Sequence, residues 1–280
     1  MDQWNADFAE QSPLLAVLRS AAQQLAGDDW PALSRLQEII ARACICTASG
    51  LPVRLVPPVA GVCAHYEQRL YVHGELEFRE RNWHDLFNVL VWLTFPRAKA
   101  ALNARHHAAF LADKAGGRGP VRDALTLFDE SGVIVLSADA EMLDMIRGFR
   151  WKSLFWESRA AVISSMDFLL FGHALCEKAL APYKGITGRG LLFEVAPDFF
   201  KWPPAERLAT IDRRLALRIA DQQALQHTHA LAPLPVLGVP GWCVDNEQPA
   251  YYDDRDHFRP GRGRVPWPAG GDIQGLKGIR

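Results

Sequence analysis

Cysteine is scarce and unpatterned in this sequence. Cys44, Cys46, Cys63, Cys176 and Cys243 are an odd number, and none stands in the C-x-x-C spacing of a zinc knuckle or a thioredoxin-like motif. They read as reduced thiols. An excess of one sign of charge is also missing: the formal net charge of −1 gives no electrostatic reason for a polyanionic partner. The nine tryptophans are dispersed, without the basic and aromatic interleaving of a nucleic-acid groove, so no nucleic-acid partner is expected. The N-terminus lacks the basic and apolar regions of a secretory signal. The longest apolar run, Ala160 to Cys176, is broken by Asp167 and His173 and is too short to span a bilayer comfortably. No membrane partner and a cytoplasmic location are therefore expected. P-loop, G-x-G-x-x-G, G-x-S-x-G and H-E-x-x-H motifs are all absent, which weighs against nucleotide folds, α/β-hydrolases and the commonest zinc helix.

What is present is the composition of a packed protein, with 49% apolar and 22% charged residues. The expected class is α+β: a predominantly helical single domain over residues 1–230 with a small antiparallel sheet or hairpin, followed by an irregular C-terminal arm over 231–280. Ser12 with Pro13, and Asp28, Asp29, Trp30 with Pro31, are helix starts, and Gly50 is a stop. Val53 to Val56 and Tyr66 to Val72 read as short strands, punctuated by Gly61 and Gly74. Asn82 caps a central helix that must end or kink at Pro96, and a second helix runs from Arg97 to about Ala112. Gly116, Gly117, Gly119 and Pro120 make a break. LTLFDESGVIVLS reads as two apolar arms of a hairpin around Asp129 to Gly132. Ser137 or Asp139 caps a short helix, Trp151 to Leu180 continues as one long helix or two joined ones, Leu191 to Val195 is a strand, and Pro203 to Ala224 is an amphipathic helix. The arm should lay Trp242, Tyr251, Tyr252, Phe258 and Trp267 on the core.

The segment Val89 to Leu93 leaves its helix no polar side, and a helix apolar all round is buried. His84, Asp85 and Asn88 on the same segment then need partners, because an unpaired buried polar group costs about 1–3 kcal/mol. Two further pairs share a helix face in the same way, Asn103 with His106 and His173 with Glu177. Imidazole one turn from a carboxylate or amide is a common way to present two metal ligands, or a base with its orienter. Plainer readings exist for each residue. Asp85 could complete a capping box with Asn82, Asp129 and Glu130 could be turn residues, and His173 could be a core histidine. The basic run Arg97, Lys99, Arg105, Lys114, Arg118 and Arg122 reads mainly as a solvated face, and otherwise as a phosphate or carboxylate contact.

His84 beside Asp85 resembles the HD phosphohydrolases, mostly helical enzymes in which an adjacent His and Asp bind metal with an upstream His and a downstream Asp. On that likeness His65 or His73 would be the first ligand and Asp129, Asp139 or Asp167 the last, although the stretch before His84 reads as strand and turn where the pattern wants helix. A broader resemblance is carried by RNWHDLFNVLVWLTFPRAKAALNARH, LTLFDESGVIVLS, FGHALCEK and PLPVLGVPGW with Asn246. These are similar to a proteobacterial domain-of-unknown-function family, number 3025, from about Leu51 to Pro260. The likeness implies a bacterial, cytoplasmic protein and supplies no activity or ligand set.

The residues themselves lead to an enzyme, a metal-assisted hydrolase or an acid/base catalyst on a small anionic substrate. His84, His106, Asp129, Glu130 and His173 are the expected catalytic groups. Asn88, Lys99, Asn103 and Arg105 would bind substrate. His84, Asp85, His173 and Glu177 would hold a divalent metal. The competing expectation is a binding or assembly module in which the same groups form a structural network.

Overall fold

The computed structural model describes residues 3–25, 27–58, 66–113 and 119–261. Gly61, Cys63, His65, Lys114, Gly116, Gly117, Arg118 and Trp267 lie outside these residues. The class is α+β and predominantly helical.

Short helices α1 (Phe8–Gln11), α2 (Arg19–Ala22) and α3 (Leu33–Arg42) open the chain, with a 3₁₀ segment from Pro13 to Leu18 between the first two. The α3 start falls at Ala32, beyond the Asp29 and Pro31 signals, and the helix ends before Gly50, at Arg42, with Cys44 in the left-handed region just after it (φ 51°). Strand β1 (Arg54–Val56) pairs in parallel with β2 (Glu75–Glu77), and between them Tyr66–His73 forms helix α4 rather than the expected strand. Its tyrosines and Val72 suggest a strand by residue type alone, but Leu70 is its one fully buried side chain. Gly74, at φ 69°, ends α4 by donating its N–H to the Leu70 carbonyl.

Helix α5 (Trp83–Thr94) begins as its sequence requires, with the Asn82 side chain accepting the Asp85 N–H at 3.0 Å. Nine of its residues are buried. Pro96 starts α6 (Pro96–Ala112), whose first amides are taken up by the buried Asp212 carboxylate. Next comes the largest departure from expectation. The segment read as a hairpin is helix α7 (Pro120–Ser131) running without a loop into strand β3 (Gly132–Ser137). Ala124, Leu125 and Phe128 are buried at helical spacing, and a Cβ on Gly132 would lie 2.4 Å from the Phe128 carbonyl oxygen. The glycine serves a close approach, not a turn.

Helix α8 (Ala140–Arg147) is capped by Asp139. The stretch expected as one long helix or two joined ones is divided by a strand: a π-helical turn over Ser153–Glu157, then α9 (Arg159–Ser165), strand β4 (Met166–Leu170) and α10 (His173–Lys178). The alternating burial of MDFLL is what makes β4 a strand. Strand β5 (Thr187–Glu194), helix α11 (Pro204–Ala220) and strand β6 (Ala232–Pro235) follow.

The main sheet has the order β4-β3-β5-β6 and is mixed rather than antiparallel throughout. Central β3 is buried at every residue, antiparallel to β4 (Val133 opposite Leu170) and parallel to β5 (Gly132 opposite Arg189). Beyond β6 the chain is a series of 3₁₀ turns that bury Tyr252 and Phe258 and pack Trp242 and Tyr251 on the core. Among the described residues, no helix is long and apolar enough to cross a membrane.

Candidate functional site

Helix α10 packs against both α5 and α7, and this three-way contact assembles the site. The approach is close because residue 172 has no side chain: a Cβ there would lie 2.4 Å from the Ser131 and Gly132 nitrogens. His173, the first residue of α10, therefore faces the last turn of α7, where Asp129 and Glu130 stand. One turn further along α10, Glu177 meets His84 on α5.

The geometry is specific. His84 Nδ1 lies 3.2 Å from Glu177 Oε2, and its Nε2 lies 3.1 Å from His173 Nε2. The two rings are nearly perpendicular, at 72°. His173 Nδ1 faces Asp129 Oδ2 at 3.8 Å, and its Nε2 is 3.7 Å from Glu130 Oε1. Asp129 is clamped from its other oxygen by Lys99 Nζ at 2.5 Å. Burial pushes the His173 imidazole down to about 4, so the ring is neutral at physiological pH. Burial also opposes ionisation of Asp129, but Lys99, His173 and His106 together hold its carboxyl below the ordinary value. Glu130 is raised, by burial first and then by the charge of Asp129.

These contacts bias the protons. A carboxylate only accepts hydrogen bonds, so Glu177 holds the His84 proton on Nδ1. His173 Nδ1 is buried without a hydrogen-bond partner, and the charge of Asp129 at 3.8 Å favours the proton there. Two Nε2 lone pairs are then left facing each other. One ligand atom from each of His84, Glu130 and His173 lies within 4.8 Å of the other two.

A cavity of about 560 Å³ opens over these groups, lined also by Tyr66, Glu67, Glu77, Arg79, Asn88, His106, Arg122 and Thr126. That is an ordinary size for a small-molecule site. Of the residues expected from sequence, His84, Asp85, Asn88, His106, Asp129, Glu130 and His173 all border it.

Others are placed differently. Asp85 is engaged by Arg79, with Nε at 2.9 Å and Nη2 at 2.7 Å, and does not join the imidazoles; the adjacent His-Asp pair is thus not a ligand pair. Asp139 caps α8 and Asp167 pairs with Arg207, so the HD-like assignment loses those ligands as well. Glu177 orients His84 from behind. Asn103 holds the Glu67 backbone and carboxylate, at 2.8 and 2.7 Å. Arg105 does not reach the cavity: its guanidinium is buried on the carbonyls of Ile219 and Ala224 at the end of α11, with burial lowering its pKa. Lys99 is buried on Asp129, leaving neither expected cation free to hold an anion. Tyr66 and Glu67 were not singled out by the sequence, and Arg122 stood there only as one member of the basic run. Reading residues 66–73 as a helix would have turned Tyr66 toward α5 and exposed it as a candidate.

No curated protein and no solved structure matches the chain significantly. A family model does, over residues 56–262. That span includes every residue of the cavity wall just described, and the chain belongs to the family described as "Protein of unknown function (DUF3025)".

Proposed function

We propose that this cavity is the active site of a metal-dependent hydrolase, with a divalent cation held by His84 Nε2, His173 Nε2 and Glu130. The observation that carries the reading is the pair of Nε2 atoms 3.1 Å apart, each ring having its other nitrogen turned toward a carboxylate. Two imidazole nitrogens bound to one tetrahedral zinc at about 2.0–2.1 Å are roughly 3.3 Å apart, so the spacing suits a shared cation. A hydrogen bond between the rings would instead put the His173 proton on Nε2 and leave its Nδ1 lone pair facing the Asp129 carboxylate. Three protein ligands leave a position for water or substrate, the arrangement of catalytic rather than structural zinc sites. Glu177 and Asp129 have the place of the outer carboxylates that orient metal-bound histidines. His106 and Tyr66 on the wall are the proton-bearing groups nearest in kind to an acid or base.

Elemental analysis of protein purified without chelators or affinity-tag metal is expected to find about one divalent ion per chain. His84→Ala, His173→Ala and Glu130→Ala should each abolish it, whereas Asp129→Asn should only weaken it, by about 10- to 100-fold in affinity. A wild-type chain that takes up no metal from a zinc or manganese solution, or a His84→Ala chain that keeps it, would refute the assignment and favour a buried structural network.

A further inference from the structure

Tyr66 and Asn88 hold hydrogen-bonding capacity that nothing in the described residues uses. The Asn88 amide nitrogen donates to the Tyr66 hydroxyl oxygen at 3.0 Å, while Asn88 Oδ1 is buried with no partner. The phenol, having accepted that bond, keeps its own O–H to donate. Exchanging the amide oxygen and nitrogen makes the phenol the donor and leaves an amide N–H over instead. In either arrangement one bond uses one of the pair's three donor hydrogens, so donors are left over, among them the phenol O–H as the amide stands. Asn88 follows His84 by one turn of α5, so the pair stands beside the imidazoles on the same helix face, and both its residues line the cavity.

We infer that Tyr66, held by Asn88, donates to an oxygen of the substrate at the His84, Glu130 and His173 centre, and that this substrate is a carboxylic ester or amide. The inference rests on the metal-centre reading above. A carbonyl oxygen gains negative charge when its carbon is attacked and is stabilised by a donor already in place. The charge of the wall separates this class from phosphate esters. Glu67, Glu77, Asp85, Asp129 and Glu130 line the cavity against Arg79 and Arg122. Both guanidiniums are already matched, Arg79 by Asp85 at 2.7 Å and Arg122 by Asp113 at 3.1 Å. Glu77, Asp85 and Asp129 are matched in turn, by Arg69, Arg79 and Lys99, so the described wall offers a dianionic phosphate no unpaired guanidinium or ammonium beside Glu67 and Glu130, whereas a neutral carbonyl group needs none.

The test measures binding of acetohydroxamate, a carbonyl compound that is uncharged as the free acid in solution and chelates a metal as its monoanion, and of inorganic phosphate to the full chain after its bound metal has been quantified. Acetohydroxamate should bind the wild type more tightly than phosphate does. Tyr66→Phe should weaken acetohydroxamate about tenfold or more while leaving bound metal unchanged, with a small fall in thermal midpoint from the unpaired Asn88 amide. Asn88→Ala, which frees the phenol without removing it, should give a smaller loss. Tighter binding of phosphate, or equal acetohydroxamate affinity in wild type and Tyr66→Phe, overturns the inference while the metal centre stands. A wild type that binds no metal overturns both.

Discussion

Asp129 has two neighbours of different kinds, the Lys99 ammonium at 2.5 Å and the neutral His173 ring at 3.8 Å, and all three side chains are at least nine-tenths buried. Charges removed from water to this degree are tolerable only as a matched set, and loss of one partner of a buried pair costs about 3–5 kcal/mol. Lys99→Met should therefore lower stability by about that amount in urea unfolding, and adding Asp129→Asn should restore part of it. A double variant as unstable as the single one would mean that Lys99 acts through packing on Trp92, whose ring centroid lies 5.7 Å from its ammonium. This pair also marks the limit of sequence reading for single residues. His84, Asp129, Glu130 and His173 were legible because each interrupts an apolar stretch. Lys99 and Arg105 were not, because a cation on a basic helix face looks the same whether it meets water, a buried carboxylate or the open carbonyls of another helix.

The elements show a similar division. Helix α5 was legible to within a residue at both ends, since a cap and a proline fix it by local chemistry. Tyr66–His73, Pro120–Ser131 and Met166–Leu170 were not, because tertiary burial overrode local patterns: Leu70 alone anchors α4, α7 has no loop to mark its end, and β4 exists only as a partner of β3. The α7–α10 contact is what converts these elements into a site. Gly172→Ala places a methyl group against the Ser131 and Gly132 nitrogens, so α10 must withdraw. His173 would then separate from Asp129 and Glu130. Zinc affinity should fall at least tenfold in calorimetric titration, with far-ultraviolet circular dichroism nearly unchanged, as expected when a site depends on sub-ångström support. Unaltered affinity would show that α10 can shift without disturbing the ligands.

At the scale of the molecule, the segment beyond Ala230 supplies an edge strand to the main sheet and then returns over the core. Polar ties join its apolar packing: Lys152 meets Asp253 at 2.6 Å, Trp151 donates to the Arg259 carbonyl at 3.1 Å, and Arg159 donates to the Asn246 carbonyl at 3.1 Å. His257 belongs to the same attachment, its Nδ1 accepting the Gly185 N–H at 3.0 Å. Burial, with Lys184 nearby, holds this imidazole below its ordinary 6.5 despite Asp254. A lowered folded pKa contributes stability that is present above the unfolded value and lost as pH falls through the folded one. With metal chelated, the thermal midpoint should therefore drop between about pH 7 and pH 5, and proteolysis of the C-terminal segment should quicken. His257→Asn, which keeps an acceptor for Gly185 but cannot take the proton, should flatten that slope; an unchanged slope would assign the loss to other groups. The composition of this segment revealed that it is not helical, but not that residues 232–235 close one side of the sheet, since proline at Pro233 and Pro235 hides an edge strand. The direct passage from α7 into β3 has one more consequence. Asp129 and Glu130 are mounted on the strand at the centre of the sheet, while Tyr66, Glu67 and Arg122 sit on α4 and the opening turn of α7, away from that anchorage. The two carboxylates of the proposed centre thus move with the sheet, while Glu67 and Arg122 at its rim do not, so substitutions at the rim can reshape the cavity without shifting Asp129 and Glu130.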